Sequence, residues 1–385
     1  MSAEPYPRVA SADEAPSRPH EVGPTQVSAE REKVHFLSGD TECAAWHYPG
    51  TNGACVIMAG GFAVTKEPGT DLFAKRFHDA GFTVLAFDYR RIGESGGQPR
   101  QVLPIRDQLA DWQAAIAFAA TLPGVDPTRL AVWGFSATGG HVFRIAVRHP
   151  ELAAAIAQTP NADGLVAARN ASGHQKPLAM LRFTGRGILD ALGGLVGRRP
   201  LLVPLVGEPG TVAVLTTPDA LDGGRALNPD NRYQDWQQEV AARSALRLVF
   251  YRPGRYASRV WCPLLVLVCD QDQSALAGPA VRAAKRAPYG ELVRMPGGHY
   301  EPFLGGHEHA AEAGCRSCVG TCLTMRSDAS LPAPCRRRRT PAGAAGGAGS
   351  RVSAGRSSPA VSKPAGSRAA HSLTRPPRPP GRDVQ

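Results

Sequence analysis

The sequence predicts an α/β protein, a mostly parallel sheet with helices on both faces and an inserted helical cap. Three observations predict it. Short, fully apolar runs alternate with stretches of helical periodicity from about residue 54 to residue 158, the rhythm of βαβ units whose strands are covered on both sides. That rhythm breaks between about residues 163 and 259, a Gly-, Pro- and Arg-rich stretch too long for an ordinary loop. It then resumes in Pro263 to Val268 and Glu291 to Met295, which supply further strands. With 385 residues and 43% apolar composition, the chain can bury a large core.

The elements follow in order. Lys33 to Tyr48 holds two alternating runs separated by Ser38-Gly39-Asp40, a hairpin. Ala54 to Ala59 is a central strand ending in Gly60-Gly61, and Leu72 to Ala80 is a helix closed by Gly81. Phe82 to Phe87 is the next buried strand. Ile105 to Thr121 places Leu109, Trp112, Ile116 and Ala119 at helical spacing and stops before Pro123-Gly124. Leu130 to Trp133 is a buried strand that ends at Gly134, and a helix begins about four residues later and runs to about Arg148. Ala153 to Gln158 is another short strand. Within the insertion, Pro177 to Leu195 and Trp236 to Phe250 read as helical.

The ends of the chain differ in character. Residues 1–30 lack apolar patterning and are expected to form a disordered N-terminal segment, so the folded domain spans 31–312. From about Ala313, Gly, Ala, Pro, Ser and Arg dominate, and 313–385 is expected to be a disordered basic tail standing where a closing helix would cover the last strand. Much of the formal net charge of +11 lies in this tail, including the run Arg336 to Arg339. No aromatics interleave with that run, so no nucleic-acid partner is expected.

No apolar h-region opens the chain, and the longest apolar candidate, Ile188 to Val206, is broken by Asp190, Arg198, Arg199 and Pro200. A soluble, cytoplasmic protein with no membrane partner is expected. Of eight cysteines, Cys43, Cys55, Cys262 and Cys269 lie in or beside apolar strands and read as reduced core residues. Cys315, Cys318, Cys322 and Cys335 fall in the tail without a second ligand pair, so no metal site is expected.

The chemistry centres on Ser136. It sits on the sharp turn between a strand and a helix, where the hydroxyl is thrust forward and the following amides aim at the same point. A serine hydroxyl needs a base. His299, on the flexible loop Pro296-Gly-Gly-His299 after a strand, is the first candidate, and His141, on the helix after the serine, is the rival expected to point away. The base needs a carboxylate. Val268-Cys-Asp-Gln-Asp272 provides two, with Asp272 beyond the strand as first choice and Asp270 as second. Donors for a developing oxyanion are expected at the Ala137 amide and at Phe62 in Gly60-Gly-Phe-Ala63, with Ala63 second.

Taken together, Met58-Ala-Gly-Gly-Phe62, Asp88-Tyr-Arg-Arg-Ile-Gly-Glu-Ser-Gly-Gly97, Trp133-Gly-Phe-Ser-Ala-Thr-Gly-Gly140, Val268-Cys-Asp-Gln-Asp272 and Pro296-Gly-Gly-His299 resemble the α/β-hydrolase superfamily, over about Lys33 to His309. The likeness is to its bacterial serine-aminopeptidase-like, dienelactone-hydrolase-like and Xaa-Pro-peptidase-like branch. The resemblance implies cleavage of an ester, thioester or amide of a small to mid-sized molecule through an acyl-enzyme, with no cofactor. Esterase or thioesterase chemistry stands ahead of peptidase chemistry, since no acidic cluster for a substrate amine stands out. Acyl transfer and a non-catalytic binding protein are the alternatives. Leu178, Met180, Leu181, Phe183, Ile188 and Leu192 in the insertion suggest an apolar acyl pocket. Two local departures stand out. Thr138 replaces the glycine usual two residues after the nucleophile, a crowding that Gly139 and Gly140 are expected to relieve, and Gly60 replaces the common histidine of the oxyanion turn.

Overall fold

The computed structural model describes residues 31–67 and 69–323. The expected N-terminal segment 1–30 and the part of the expected tail from residue 324 lie outside the described residues.

Strands β1 (Glu32–Ser38) and β2 (Thr41–Tyr48) form the antiparallel hairpin, with Ser38 opposite Thr41. They are followed by β3 (Cys55–Ala59), α1 (Thr70–Asp79), β4 (Thr83–Phe87), α2 (Ile105–Ala119), β5 (Leu130–Phe135), α3 (Ala137–Arg148) and β6 (Ala154–Gln158). The insertion carries α4 (Gly164–Gly173), α5 (Pro177–Leu195), β7 (Leu202–Pro204), α6 (Asp222–Leu227), β8 (Glu239–Ala241) and α7 (Ala242–Leu248). The chain returns through β9 (Leu264–Cys269), α8 (Ala277–Arg286), β10 (Gly290–Met295) and α9 (His307–Cys318).

Eight strands form one sheet in the order β1-β2-β4-β3-β5-β6-β9-β10. β2 meets both β1 and β4 antiparallel, and every other pairing is parallel. Strands β3, β4, β5, β6 and β9 are buried at every position, which is why they read as unbroken apolar runs. The register shows that both faces are covered. Met58 lies opposite both Ala86 and Trp133, so these three point to one face and Phe87, one residue on, points to the other. Trp133 stacks on Phe73 of α1 at 5.1 Å between ring centroids, while Phe87 meets Trp112 of α2 edge-on at 5.1 Å. Helices α1 and α2 therefore lie on opposite sides of the sheet.

Two expectations need correction. Trp236 to Phe250 is not one helix: Glu239–Ala241 pairs antiparallel with Leu202–Pro204, and the helix starts only at Ala242. Tertiary pairing overrides helical spacing there, since Ala241 N–H also donates to Gln101 C=O at 2.9 Å. Helix α8, rich in alanine, joins β9 to β10. The tail does not start at residue 313, because α9 runs to Cys318 and a π-helical turn continues to Leu323. Ala310, Ala311, Ala313, Gly314 and Cys318 are its buried face. Small residues look like low complexity in sequence, yet they let α9 lie close against α1: a Cβ on Gly314 would stand 3.2 Å from Phe77 Cζ. The closing helix is thus present, and Cys315, Cys318 and Cys322 sit on it or just after it as free thiols. No helix among the described residues is long and apolar enough to cross a membrane.

Phe73 joins α1 to β5, to Phe303 and to His307 at the start of α9. Phe73→Ala is expected to cost about 3–5 kcal/mol, as large aromatic truncations in a packed core do, measured by urea unfolding.

Candidate active site

The parallel strands deliver their C-terminal ends to one edge of the sheet, the edge at which open α/β sheets bind ligands. Ser136 stands there between β5 and α3, with φ 57° and ψ −120°. Its amide donates to Gln158 C=O at 3.0 Å, and its carbonyl accepts from Gly140 N–H at 3.0 Å and Asn161 N–H at 2.9 Å. The backbone is therefore held on both sides of a sparsely populated conformation.

Thr138 does not block this turn. It is fully buried beneath it, and its hydroxyl lies 2.9 Å from Tyr89 Oη, which accepts from Trp112 Nε1 at 2.8 Å. The close approach that the missing glycine would serve is met by its neighbours. A Cβ on Gly134 would fall 2.7 Å from Thr138 Cγ2, and one on Gly140 would fall 2.6 Å from Asn161 C=O.

His299 Nε2 lies 2.9 Å from Ser136 Oγ, and His299 Nδ1 lies 2.8 Å from Asp272 Oδ2. A carboxylate at Nδ1 fixes the proton there and leaves Nε2 as the acceptor facing the serine. Asp272 Oδ1 accepts from Ala275 N–H at 2.6 Å, so both of its oxygens are engaged. The His299 ring is buried against Phe135 (centroids 5.0 Å apart) and the edge of Tyr300. Burial opposes its protonation, but the Asp272 carboxylate, its hydrogen bond and the more distant Asp219 outweigh that and raise the imidazole above its ordinary value.

The two rival residues lie elsewhere. Asp270 faces the surface and pairs with Arg294, Nε to Oδ1 at 2.9 Å. His141 is buried with Nδ1 2.9 Å from Tyr251 Oη and Nε2 3.3 Å from Gln108 Oε1. Burial, with Arg144 nearby, pushes its imidazole down to about 3.

The Gly60-Gly61 turn comes close to Ser136. A Cβ on Gly61 would lie 3.1 Å from the Phe135 ring and 3.5 Å from Ser136 Cβ. Phe62 and Ala137 line the same cavity as Ser136. Ala137 is the first residue of α3, so its amide belongs to the unpaired first turn of a helix. Ala63, at φ 56°, turns its carbonyl to Trp236 Nε1 at 2.9 Å. Beyond it, Lys66 is buried, with its amide on Asp88 Oδ1 at 2.5 Å and its ammonium on Asp88 Oδ2 at 3.0 Å and on Glu94. This ion pair ties the turn to the loop after β4.

The cavity is mostly apolar. From the insertion it takes Leu205, Val214, Leu215, Leu227, Trp236 and Leu248. These are not the residues expected to line it. Leu178, Met180, Leu181, Ile188 and Leu192 are exposed on the outer side of α5, and Phe183 packs on the core without reaching the cavity. Helix α5 turns Ala179, Gly187 and Asp190 inward instead, with Asp190 Oδ2 accepting from Arg243 N–H at 2.9 Å.

One residue beside the site escaped the sequence reading. Asp219 lies buried in the 3₁₀ turn Pro218–Leu221 of the insertion. Its Oδ2 accepts from the amides of Gln273 (2.7 Å), Ser274 (3.3 Å) and His299 (3.2 Å), and its Oδ1 accepts from Ser274 Oγ (2.9 Å). Pro218-Asp219 reads as a plain turn, and nothing local marks it.

Comparison with known proteins follows the same outline. The PETase family model, described as PET hydrolase-like, matches residues 2–172, a span that holds Ser136 and Phe62 but neither Asp272 nor His299. The chain is similar to the quorum-quenching protein AidA of Acinetobacter baumannii (strain MDR-ZJ06), 39% identical over 275 residues, covering 71% of this chain and 88% of the relative. It is similar to the polyketide transferase ATR5 of Stachybotrys chlorohalonatus (strain IBT 40285), 31% identical over 252 residues, covering 63% of this chain and 80% of the relative. Among solved structures it is similar to the alpha/beta hydrolase GrgF from Penicillium sp. sh18, with a TM-score of 0.64 and 22% identity over 76% of this chain and 99% of the other.

Tyr89→Phe removes the partner of both Trp112 Nε1 and Thr138 Oγ1. It is expected to cost about 1–3 kcal/mol in chemical unfolding, because two buried polar groups lose their bond at once.

Proposed function

Because the chain belongs to the α/β-hydrolase superfamily, we propose that it is a serine hydrolase acting on an ester or thioester with an apolar acyl part. The observation that carries this reading is the continuous relay from Ser136 Oγ through His299 to Asp272, opening on an apolar cavity. His299 Nε2 accepts the Ser136 proton as Oγ attacks the substrate carbonyl, and the imidazolium formed is stabilised by Asp272. The Phe62 and Ala137 amides donate to the developing oxyanion. Collapse of the adduct breaks the bond to the leaving alcohol or thiol, which takes the proton from His299. Water, deprotonated by the same ring, then releases the acid and restores Ser136.

The leucines, valines and Trp236 of the cavity suit an acyl chain, and a small-molecule substrate is the partner this implies. A second reading, transfer of the acyl group to an acceptor other than water, is favoured by the 31% identity to a polyketide transferase. The two share the acylation half and differ in what deacylates the serine.

A fluorophosphonate probe tests the nucleophile. Wild type is expected to label and Ser136→Ala is not. Equal labelling would overturn the assignment, and an unlabelled folded wild type would favour a binding protein. With p-nitrophenyl esters of graded chain length, Asp272→Asn is expected to lower kcat by about three to four orders of magnitude, and Asp270→Asn to stay near wild type. A larger loss in Asp270→Asn would reverse the choice of acid.

The pH dependence has a definite sign. Catalysis uses the neutral ring, and the folded-state value of His299 is raised above 6.5. kcat/KM should therefore rise with pH along an acid limb centred above 6.5, and fall away below it.

A further inference from the structure

We propose that Asp219 is a positioning residue of the reaction, a carboxylate through which the insertion holds the acid loop and the base loop in register. The proposal rests on the serine-hydrolase reading and extends it. Asp272 and His299 sit on loops after different strands, β9 and β10, which meet through Gln271 N–H donating to Gly297 C=O at 3.0 Å. Their side-chain hydrogen bond aligns two groups but does not fix where the pair stands relative to Ser136. Asp219 adds a tie from the insertion to both loops at once. Its Oδ2 binds the amides of Gln273 and Ser274, directly after Asp272, together with the amide of His299 itself. Its Oδ1 takes Ser274 Oγ, whose oxygen is 2.7 Å from Thr217 Oγ1. One buried carboxylate thus accepts four hydrogen bonds, all from those two loops.

Packing agrees with this role. A Cβ on Gly298 would stand 3.1 Å from Asp219 Cβ, so the glycine before His299 lets the loop close on this residue. A Cβ on Gly223 would stand 2.9 Å from the Tyr300 ring, a second close contact between the insertion and the His299 loop.

Charge agrees as well. Burial works against ionisation of Asp219, but the Gln273 amide, the His299 ring and the Ser274 and Thr217 hydroxyls hold it below the usual carboxylate range. The charged groups acting on His299 are the Asp272 carboxylate from the β9 loop and the Asp219 carboxylate from the insertion. Ser136 and Tyr300 face the ring as neutral hydroxyl-bearing groups, and the neutral Cys269 thiol lies near Asp272. Asp219 therefore does two separable things: it fixes the loops, and it adds negative charge near the imidazole.

The test compares full-length wild type with Asp219→Asn and Asp219→Glu, each checked for folding by thermal unfolding. Asp219→Asn removes the charge in nearly the same shape. It is expected to lower kcat by about 10- to 100-fold on a p-nitrophenyl ester, as misplacement of a reacting group does, with KM little changed. Its acid limb should move to lower pH, since the imidazolium loses one stabilising carboxylate. Asp219→Glu keeps the charge and displaces it, so kcat should fall while the acid limb stays near its wild-type position. NMR titration of the His299 ring in wild type and Asp219→Asn reads the same link without turnover. It holds whether or not Ser136 is the nucleophile, so an unreactive wild type would sink the hydrolase reading alone. A folded Asp219→Asn with unchanged kcat, acid limb and ring titration would overturn the proposal. If Asp219→Asn does not fold, Ser274→Ala removes the Oδ1 bond together with the hydroxyl contact to Thr217. A severalfold fall in kcat there supports the proposal, and no change rejects it.

Discussion

Ser136 holds a backbone conformation that costs an L-residue about 1–3 kcal/mol, and the neighbouring chain is arranged to keep it there. Strand β5 runs in from the middle of the sheet, flanked by β3 and β6, so the turn starts from a strand buried at every position. The Ser136 amide is tied to the end of β6, and its carbonyl to the first turn of α3 and to Asn161. Gly134 and Gly140 give space that any side chain would fill, and Thr138 occupies the space beneath with its hydroxyl satisfied by Tyr89. The strain is stored locally and paid by ordinary sheet and helix bonds on either side.

Everything else in the site is organised about that fixed hydroxyl through buried charge. A carboxylate in a desolvated position is costly unless it is bonded on every side, and the site obeys that rule with each acid it uses. Asp272 gives one oxygen to an amide and one to His299. Asp219 is saturated by amides and a hydroxyl. Asp88 holds Lys66 and two amides, and so pins the turn that carries Phe62. The insertion shares in this arrangement, because it contributes one of these acids as well as most of the apolar lining.

Much of this is legible in the chain itself. The parallel core strands are covered on both faces, so they had to be apolar throughout, and their runs stand out. Ser136 and Asp272 follow such runs, and His299 follows the partly buried edge strand β10, so strand order places their loops at one edge. Position along the loop separates Asp272 from Asp270, and the two side chains point different ways, one to His299 and the other to Arg294. Small residues imitate disorder in α9, and α5 turns its apolar residues outward, so neither shows its role in the sequence.

The sequence by itself determined the alternation of strands and helices, the sharp turn at Ser136, and the loops that carry Ser136, Asp272 and His299. These depend on local chemistry: apolar period, glycine placement, and residue type at a strand end. Tertiary structure alone decided that Asp219 meets His299 across 80 positions of chain, that Leu205 and Trp236 rather than the α5 leucines line the cavity, and that Thr138 is accommodated beneath the turn. Such contacts have no sequence period, because their partners are brought together by how the insertion packs on the sheet. The turn at Ser136 can be read from Leu130 to Gly140, but the environment that makes it a site needs most of the described chain.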